Sequence, residues 1–153
     1  MRSLFFYLSF LLLPGINAQN SNSLSKQLNT KNNIAISGYD VVAYFTQQEA
    51  IKGYKQYSVS HQGVIYYFST ENNKNIFIKA TTSFEPQYGG WCAYAMGAKG
   101  SKVDVDPETF KIINGKLYLF YNKYLTNTLT LWNKDENNLK SKADANWKAI
   151  LSK

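Results

Sequence analysis

The sequence predicts an α+β domain: a small antiparallel sheet of β-hairpins packed with three or four helices, in a single domain. Three observations carry this. Two strand-like stretches are each broken by a two-residue turn signal, Gln62-Gly63 and Asn114-Gly115. Apolar residues recur at spacings of three and four elsewhere, as on one face of a helix. Strands and helices do not alternate in the rhythm of a parallel sheet.

Along the chain, the first signal is Arg2 followed by an apolar run over 4–13, interrupted only by Ser9. Pro14-Gly15 and the small-residue site Ile16-Asn17-Ala18 follow, so residues 1–18 read as a signal peptide cleaved before Gln19. The run falls short of the roughly 20 residues that a spanning helix needs. No membrane span is therefore expected after cleavage. The protein is expected to be exported, to a periplasm or outside the cell. Residues 19–33, rich in Asn and Ser, read as a flexible N-terminal tether, and 34–151 as one domain with no evident internal repeat.

Within that domain, Ser37-Gly38-Tyr39-Asp40 is a turn signal, followed by an apolar strand over 41–45. Residues 57–68 form the first hairpin. Ser69 or Thr70 caps a helix whose apolar face is Ile76, Phe77, Ala80 and Phe84, ended by Pro86. A Gly-rich loop spans 87–100. Asp106-Pro107 reads as a helix start, Asp106 as its cap. The second hairpin flanks Asn114-Gly115. Leu125, Leu129 and Trp132 suggest one helix, and Leu139, Ala143, Trp147 and Ile150 another.

Charge excludes some functions. The chain carries 17 Lys+Arg against 10 Asp+Glu, and its one arginine is Arg2. After cleavage it would hold 16 lysines and no arginine, a net charge of +6. Arginine is the preferred bidentate reader of phosphate and guanine, so no nucleic-acid partner is expected.

One Cys rules out an internal disulfide and any multi-Cys zinc site within one chain. In an oxidising compartment Cys92 must be buried, metal-bound or used in redox chemistry. It follows Gly89-Gly90-Trp91, and Met96 lies four residues on, on the same face if 93–96 turns helically. Thiolate with thioether suits Cu(I), and suits Zn²⁺ less well. The other candidate metal ligands are Asp40 and His61, the chain's only histidine. Both are open to plainer readings, Asp40 as a turn cap and His61 as a solvated hairpin residue. Asp104 and Asp106 offer two carboxylates on one face of an extended segment. Tyr39 and Tyr88 are expected to line a site on which Asp40 and Cys92 converge. A Cys–His nucleophile would need Cys92 to meet His61.

Three ordered motifs resemble the YHS domain family: 38–45 (GYDVVAYF), 64–69 (VIYYFS) and 86–94 (PQYGGWCAY). The resemblance continues through 103–108, 115–119 and 143–147 and covers about 34–151. It is to the exported, single-Cys branch of the family. Family members often have Pro where Val41 stands and Tyr where Trp91 stands. Ser69 and Asn73 occupy a region where the short form of the domain carries cysteines, so its multi-Cys site does not carry over. The resemblance implies a small metal-associated module, not a catalyst, with copper or zinc as the metal and a metal-handling or other exported protein as partner. A thiol-redox enzyme centred on Cys92, or a structural or interaction module with Cys92 buried, are the alternatives. Oligomeric state is not set by the sequence.

Overall fold

The computed structural model describes residues 24–153. The expected signal peptide, and residues 19–23 of the expected tether, lie outside the described residues. From Leu24 on, the expected tether packs on the domain. Thr30–Lys31 (β1) pairs antiparallel with Ile34–Ala35 (β2). Asn29 Nδ2 donates to Gly90 O at 3.1 Å, and Trp91 Nε1 donates to Gln27 O at 2.7 Å.

The α+β class holds. The first expected hairpin is Tyr54–His61 (β3) with Val64–Phe68 (β4), and the second is Asp106–Ile113 (β5) with Lys116–Phe120 (β6). They do not share a sheet. β3 and β4 join β1 and β2 in the order β1-β2-β4-β3, with β2 parallel to β4, while β5 and β6 stand alone. Asn122–Lys123 (β7) and Thr126–Asn127 (β8) form a third, short hairpin.

Three expectations about single residues or short segments of the domain need correction. Residues 41–45 do not form a strand: Ala43–Thr46 is a helical turn (α1), fully buried at Ala43 and Tyr44. A run buried on all sides has no period to separate the two forms, and Asp40 Oδ1 accepts from Val42 and Ala43 N–H, which starts the turn. Asp106-Pro107 opens β5 instead of a helix. Pro107 lies in the irregularity between Asp106 and Phe110, where its missing N–H breaks no ladder. Leu125 belongs to the β7–β8 turn and not to the helix after it.

The remaining helices are Glu71–Lys79 (α2), Thr81–Phe84 (α3), Ala93–Lys99 (α4), Thr128–Trp132 (α5) and Glu136–Leu151 (α6). Thr70 caps α2, accepting from Asn73 N–H, and Asn127 caps α5, accepting from Leu129 N–H. α4 lies against α6, and only glycine fits at the crossing: a Cβ on Gly97 would stand 2.4 Å from Leu139 O.

The two halves of the domain repeat each other at an offset of 52 residues. A 3₁₀ turn at Ile36–Gly38 has three successive left-handed residues (φ 46, 51 and 82°), and so does Tyr88–Gly90 in the second turn (φ 54, 61 and 82°). Asp40 N–H then donates to Ile51 O and Cys92 N–H to Val103 O. Every pair in the β3–β4 register, from Tyr54↔Phe68 to His61↔Val64, recurs 52 positions on in β5–β6, bulge included. Each hairpin then sets a Tyr-x-Phe pair against a helix aromatic: Tyr66 and Phe68 against Phe77, and Tyr118 and Phe120 against Trp132. The buried side chains fall into two clusters: one joins both halves, with Tyr66 and Phe77 packed alongside Cys92, Val105 and Leu119, and the other is built from the second half alone. The expected absence of a repeat is overturned.

Candidate functional site

Asp40 is fully buried. Its Oδ1 accepts from the N–H groups of Val42 (2.9 Å) and Ala43 (3.3 Å). Its Oδ2 accepts from Ser69 N–H (2.7 Å), Ser69 Oγ (2.6 Å) and Asn73 Nδ2 (2.8 Å). Five donors meet the roughly four lone-pair sites of a carboxylate, so its acceptor capacity is spent. The carboxylate ties the first left-handed turn to the end of β4 and the first turn of α2. Ser69 and Asn73 had no place in the sequence-derived site. The signal for Asn73 is its position on the buried face of α2, four residues before Phe77.

Cys92 occupies the matching position in the second half and is also fully buried. Tyr121 N–H points at its Sγ at 3.4 Å, as Ser69 N–H, 52 positions earlier, points at Asp40. Thr128 Oγ1 lies 3.4 Å from Sγ. The single Thr128 hydroxyl proton goes to Tyr121 O at 2.9 Å, which leaves the Cys92 S–H as donor in the other contact.

The remaining candidates have separate partners. Tyr39 OH donates to Glu108 Oε1 at 3.0 Å; burial first, then Glu108, raises its pKa. Met96 lies fully buried in the second core cluster, whereas Cys92 lies in the first. His61 Nε2 is 3.1 Å from Glu85 Oε1, close enough for an ion pair when the ring is protonated but not aligned as a hydrogen bond. Asp104 accepts from Asn29 and from Val105 N–H, and Asp106 from Glu108 N–H and Thr109 Oγ1. Among the described residues, no three His, Cys, Asp or Glu side chains gather as a metal site.

Open space lies elsewhere. A cleft of about 480 Å³ opens where the two halves meet. Ile36 and Tyr88, matching residues of the two left-handed turns, both line it, and Leu28, Tyr66 and Trp147 complete an apolar and aromatic wall. Glu85, Asp144 and Lys148 supply charge at the lining. The second turn is shaped for this position. A Cβ on Gly89, already at φ 61°, would stand 2.8 Å from the Trp147 ring and 2.9 Å from Leu28. Tyr88 holds φ 54° despite its side chain, and its OH donates to Asp144 Oδ1 at 2.9 Å. Burial and the Asp144 hydrogen bond push the Tyr88 phenol pKa well up, and burial does the same to Tyr66. Lys140 holds the other Asp144 oxygen at 2.8 Å. Of the expected site residues, only Tyr88 lines this cleft.

No family model matches the chain, and no curated protein or solved structure is significantly similar to it.

Proposed function

We propose that this chain is an exported, YHS-like binding module whose ligand site is the cleft between its two halves, and whose ligand is a small, largely apolar molecule with aromatic character. One observation carries the reading: the cleft has the volume of a small-molecule site, within the usual 300–1,000 Å³, and is walled by Tyr66, Tyr88 and Trp147 with few charges. The left-handed backbone at Tyr88, strained because the residue carries a side chain, supports it, since strained backbone clusters at ligand sites. The YHS-like motifs support it in another way. Val41, Val42, Tyr44, Val64, Phe68 and Cys92 are buried, so these motifs mark the packed scaffold around the two turns and the first hairpin, which line the cleft.

A soft-metal site at Cys92 has less behind it. Its sulfur is enclosed and engaged, Met96 packs in the other cluster, and the Asp40 oxygens are filled. Thiol redox chemistry would require the β7–β8 hairpin to lift from the sulfur.

The test is fluorescence titration with 1-anilinonaphthalene-8-sulfonate, an apolar aromatic probe, against wild type and Thr82→Trp. Thr82 is an exposed residue on the cleft lining, and an indole there fills the space. Saturable one-to-one binding that weakens at least about tenfold in the variant, at unchanged melting temperature, supports the cleft. Equal binding by the two proteins sinks it.

A further inference from the structure

Among the described residues the same two-residue hairpin turn occurs four times, with both central residues left-handed each time. The pairs are Asn32-Asn33 (φ 53 and 61°), Gln62-Gly63 (51 and 78°), Asn114-Gly115 (50 and 70°) and Tyr124-Leu125 (50 and 64°). Asn and Gly dominate the first three because they adopt this backbone most readily. Tyr and Leu are poor choices for it, since a Cβ crowds the following carbonyl in the left-handed region. They are also poor choices for water, and both are fully in it, 91% and 108% exposed. Neither turn geometry nor core packing accounts for this pair.

The hairpin that carries them has no counterpart in the first half. Four residues (69–72) join Phe68 to Asn73, whereas seven (121–127) join Phe120 to Thr128. Its base is fixed. Thr128 N–H and Oγ1 both donate to Tyr121 O, Tyr121 N–H points at Cys92 Sγ, and Asn122 Nδ2 donates to Thr109 Oγ1. The tip is therefore held out from the domain on a firm stem.

Its neighbours along the sequence are cationic, while at its base Asn122 bonds Thr109, which in turn bonds Asp106. Between Glu108 and Asp135 the sequence has no acid but has Lys111, Lys116, Lys123 and Lys134, with exposed Lys123 next to the tip. Lys111 alone of these is paired, with Glu136. The two apolar side chains offer on the order of 400 Å², about half of the ~800 Å² per partner in a stable protein interface. A bilayer interface needs neither that area nor a matching pocket. It favours the amphipathic ring of tyrosine at the headgroup level and lysines beside anionic lipid.

We propose that the Tyr124-Leu125 tip inserts into the interfacial layer of an anionic lipid bilayer and holds the domain there as a peripheral protein. The test is flotation of the full chain with phosphatidylcholine vesicles, and with vesicles containing roughly 30% phosphatidylglycerol. Wild type is compared with Tyr124→Asn/Leu125→Gly, which installs the preferred turn residues. The expected result is binding to anionic vesicles about tenfold weaker in the variant, with a raised melting temperature. A second readout is Leu125→Cys carrying an environment-sensitive dye, since buried Cys92 is out of reach of labelling. Its emission should rise on anionic vesicles and not on neutral ones.

Equal flotation of wild type and variant would overturn the proposal, because residues 4–13, common to both, would then account for binding. So would absence of binding, binding indifferent to lipid charge, or unchanged dye emission. Self-association in the absence of lipid that the double substitution abolishes would instead assign the tip to a second copy of the chain.

Discussion

Asp40 and Cys92 sit at matching points of two matching half-domains, and the halves treat them differently. Each follows three left-handed residues, each is fully buried, and each receives the N–H of the residue just after the second strand of its hairpin. Around Asp40 the first half adds a hydroxyl and an amide, five short donors in all. Around Cys92 the second half adds one threonine contact at 3.4 Å. One backbone frame thus accommodates either a saturated carboxylate or a thiol with weak contacts. The lesson is that burial at a motif position does not by itself mark a functional group; what matters is whether capacity is left over. Neither group has much, and open volume is found instead at the preceding residues, Ile36 and Tyr88, where the two turns face a common cleft.

The largest expected effect breaks this comparison directly. Asp40→Ala leaves backbone and side-chain donors buried without an acceptor, at about 4 kcal/mol of unfolding free energy. Cys92→Ala removes one small apolar atom from a packed site and should cost about 1–2 kcal/mol. Urea unfolding of both variants measures the difference. Equal costs would mean that the sulfur contacts matter as much as the carboxylate bonds, and the contrast between the halves would fail.

How much of this was legible in the sequence depended on the range of the signal. Gln62-Gly63 and Asn114-Gly115 fix their hairpins locally, and Leu139, Ala143, Trp147 and Ile150 trace α6. The repeat left almost no trace. Between 36–68 and 88–120 only five of 33 aligned residues are identical, among them Gly38 with Gly90 and Phe68 with Phe120. Register and turn geometry belong to the backbone, and many side-chain sets satisfy them. The cleft was invisible for a related reason. Its walls come from Leu28, Tyr66, Tyr88 and Trp147, brought together from across the domain. Leu125 misled because i, i+4 spacing to Leu129 fits a helix, while the cue against it, a two-residue turn, normally announces itself with Asn or Gly.

A smaller effect separates the two turns themselves. Ser37 already carries a side chain at φ 51°, pointing to solvent, so Ser37→Ala should change stability by less than about 0.5 kcal/mol. Gly89→Ala meets both a left-handed backbone and the Trp147 ring. It should cost about 2–3 kcal/mol and reshape the cleft, so that probe binding falls with it. If Gly89→Ala proved as silent as Ser37→Ala, the second turn would not be fitted to the cleft wall.

The smallest effect changes sign with pH. Tyr88→Phe keeps the ring against Tyr118 and loses the hydroxyl bond to Asp144, worth about 1 kcal/mol near neutrality. In the folded wild type, burial and Asp144 hold the phenol pKa well above its ordinary 10.0. The unfolded chain then loses its proton first as pH rises. The stability contributed by protonated Tyr88 is complete below about pH 10 and is lost above it, at about 1.4 kcal/mol per pH unit. Buried Tyr44 and Tyr66, whose phenol pKa values burial also raises, weaken both proteins equally in that range. Phenylalanine has no proton to lose, so the variant should start about 1 kcal/mol less stable, draw level near roughly pH 11 and become the more stable protein beyond it. Unfolding free energies measured across that range would show the curves crossing. Parallel curves would mean that Tyr88 titrates like a solvated tyrosine and does not form part of a closed cleft wall.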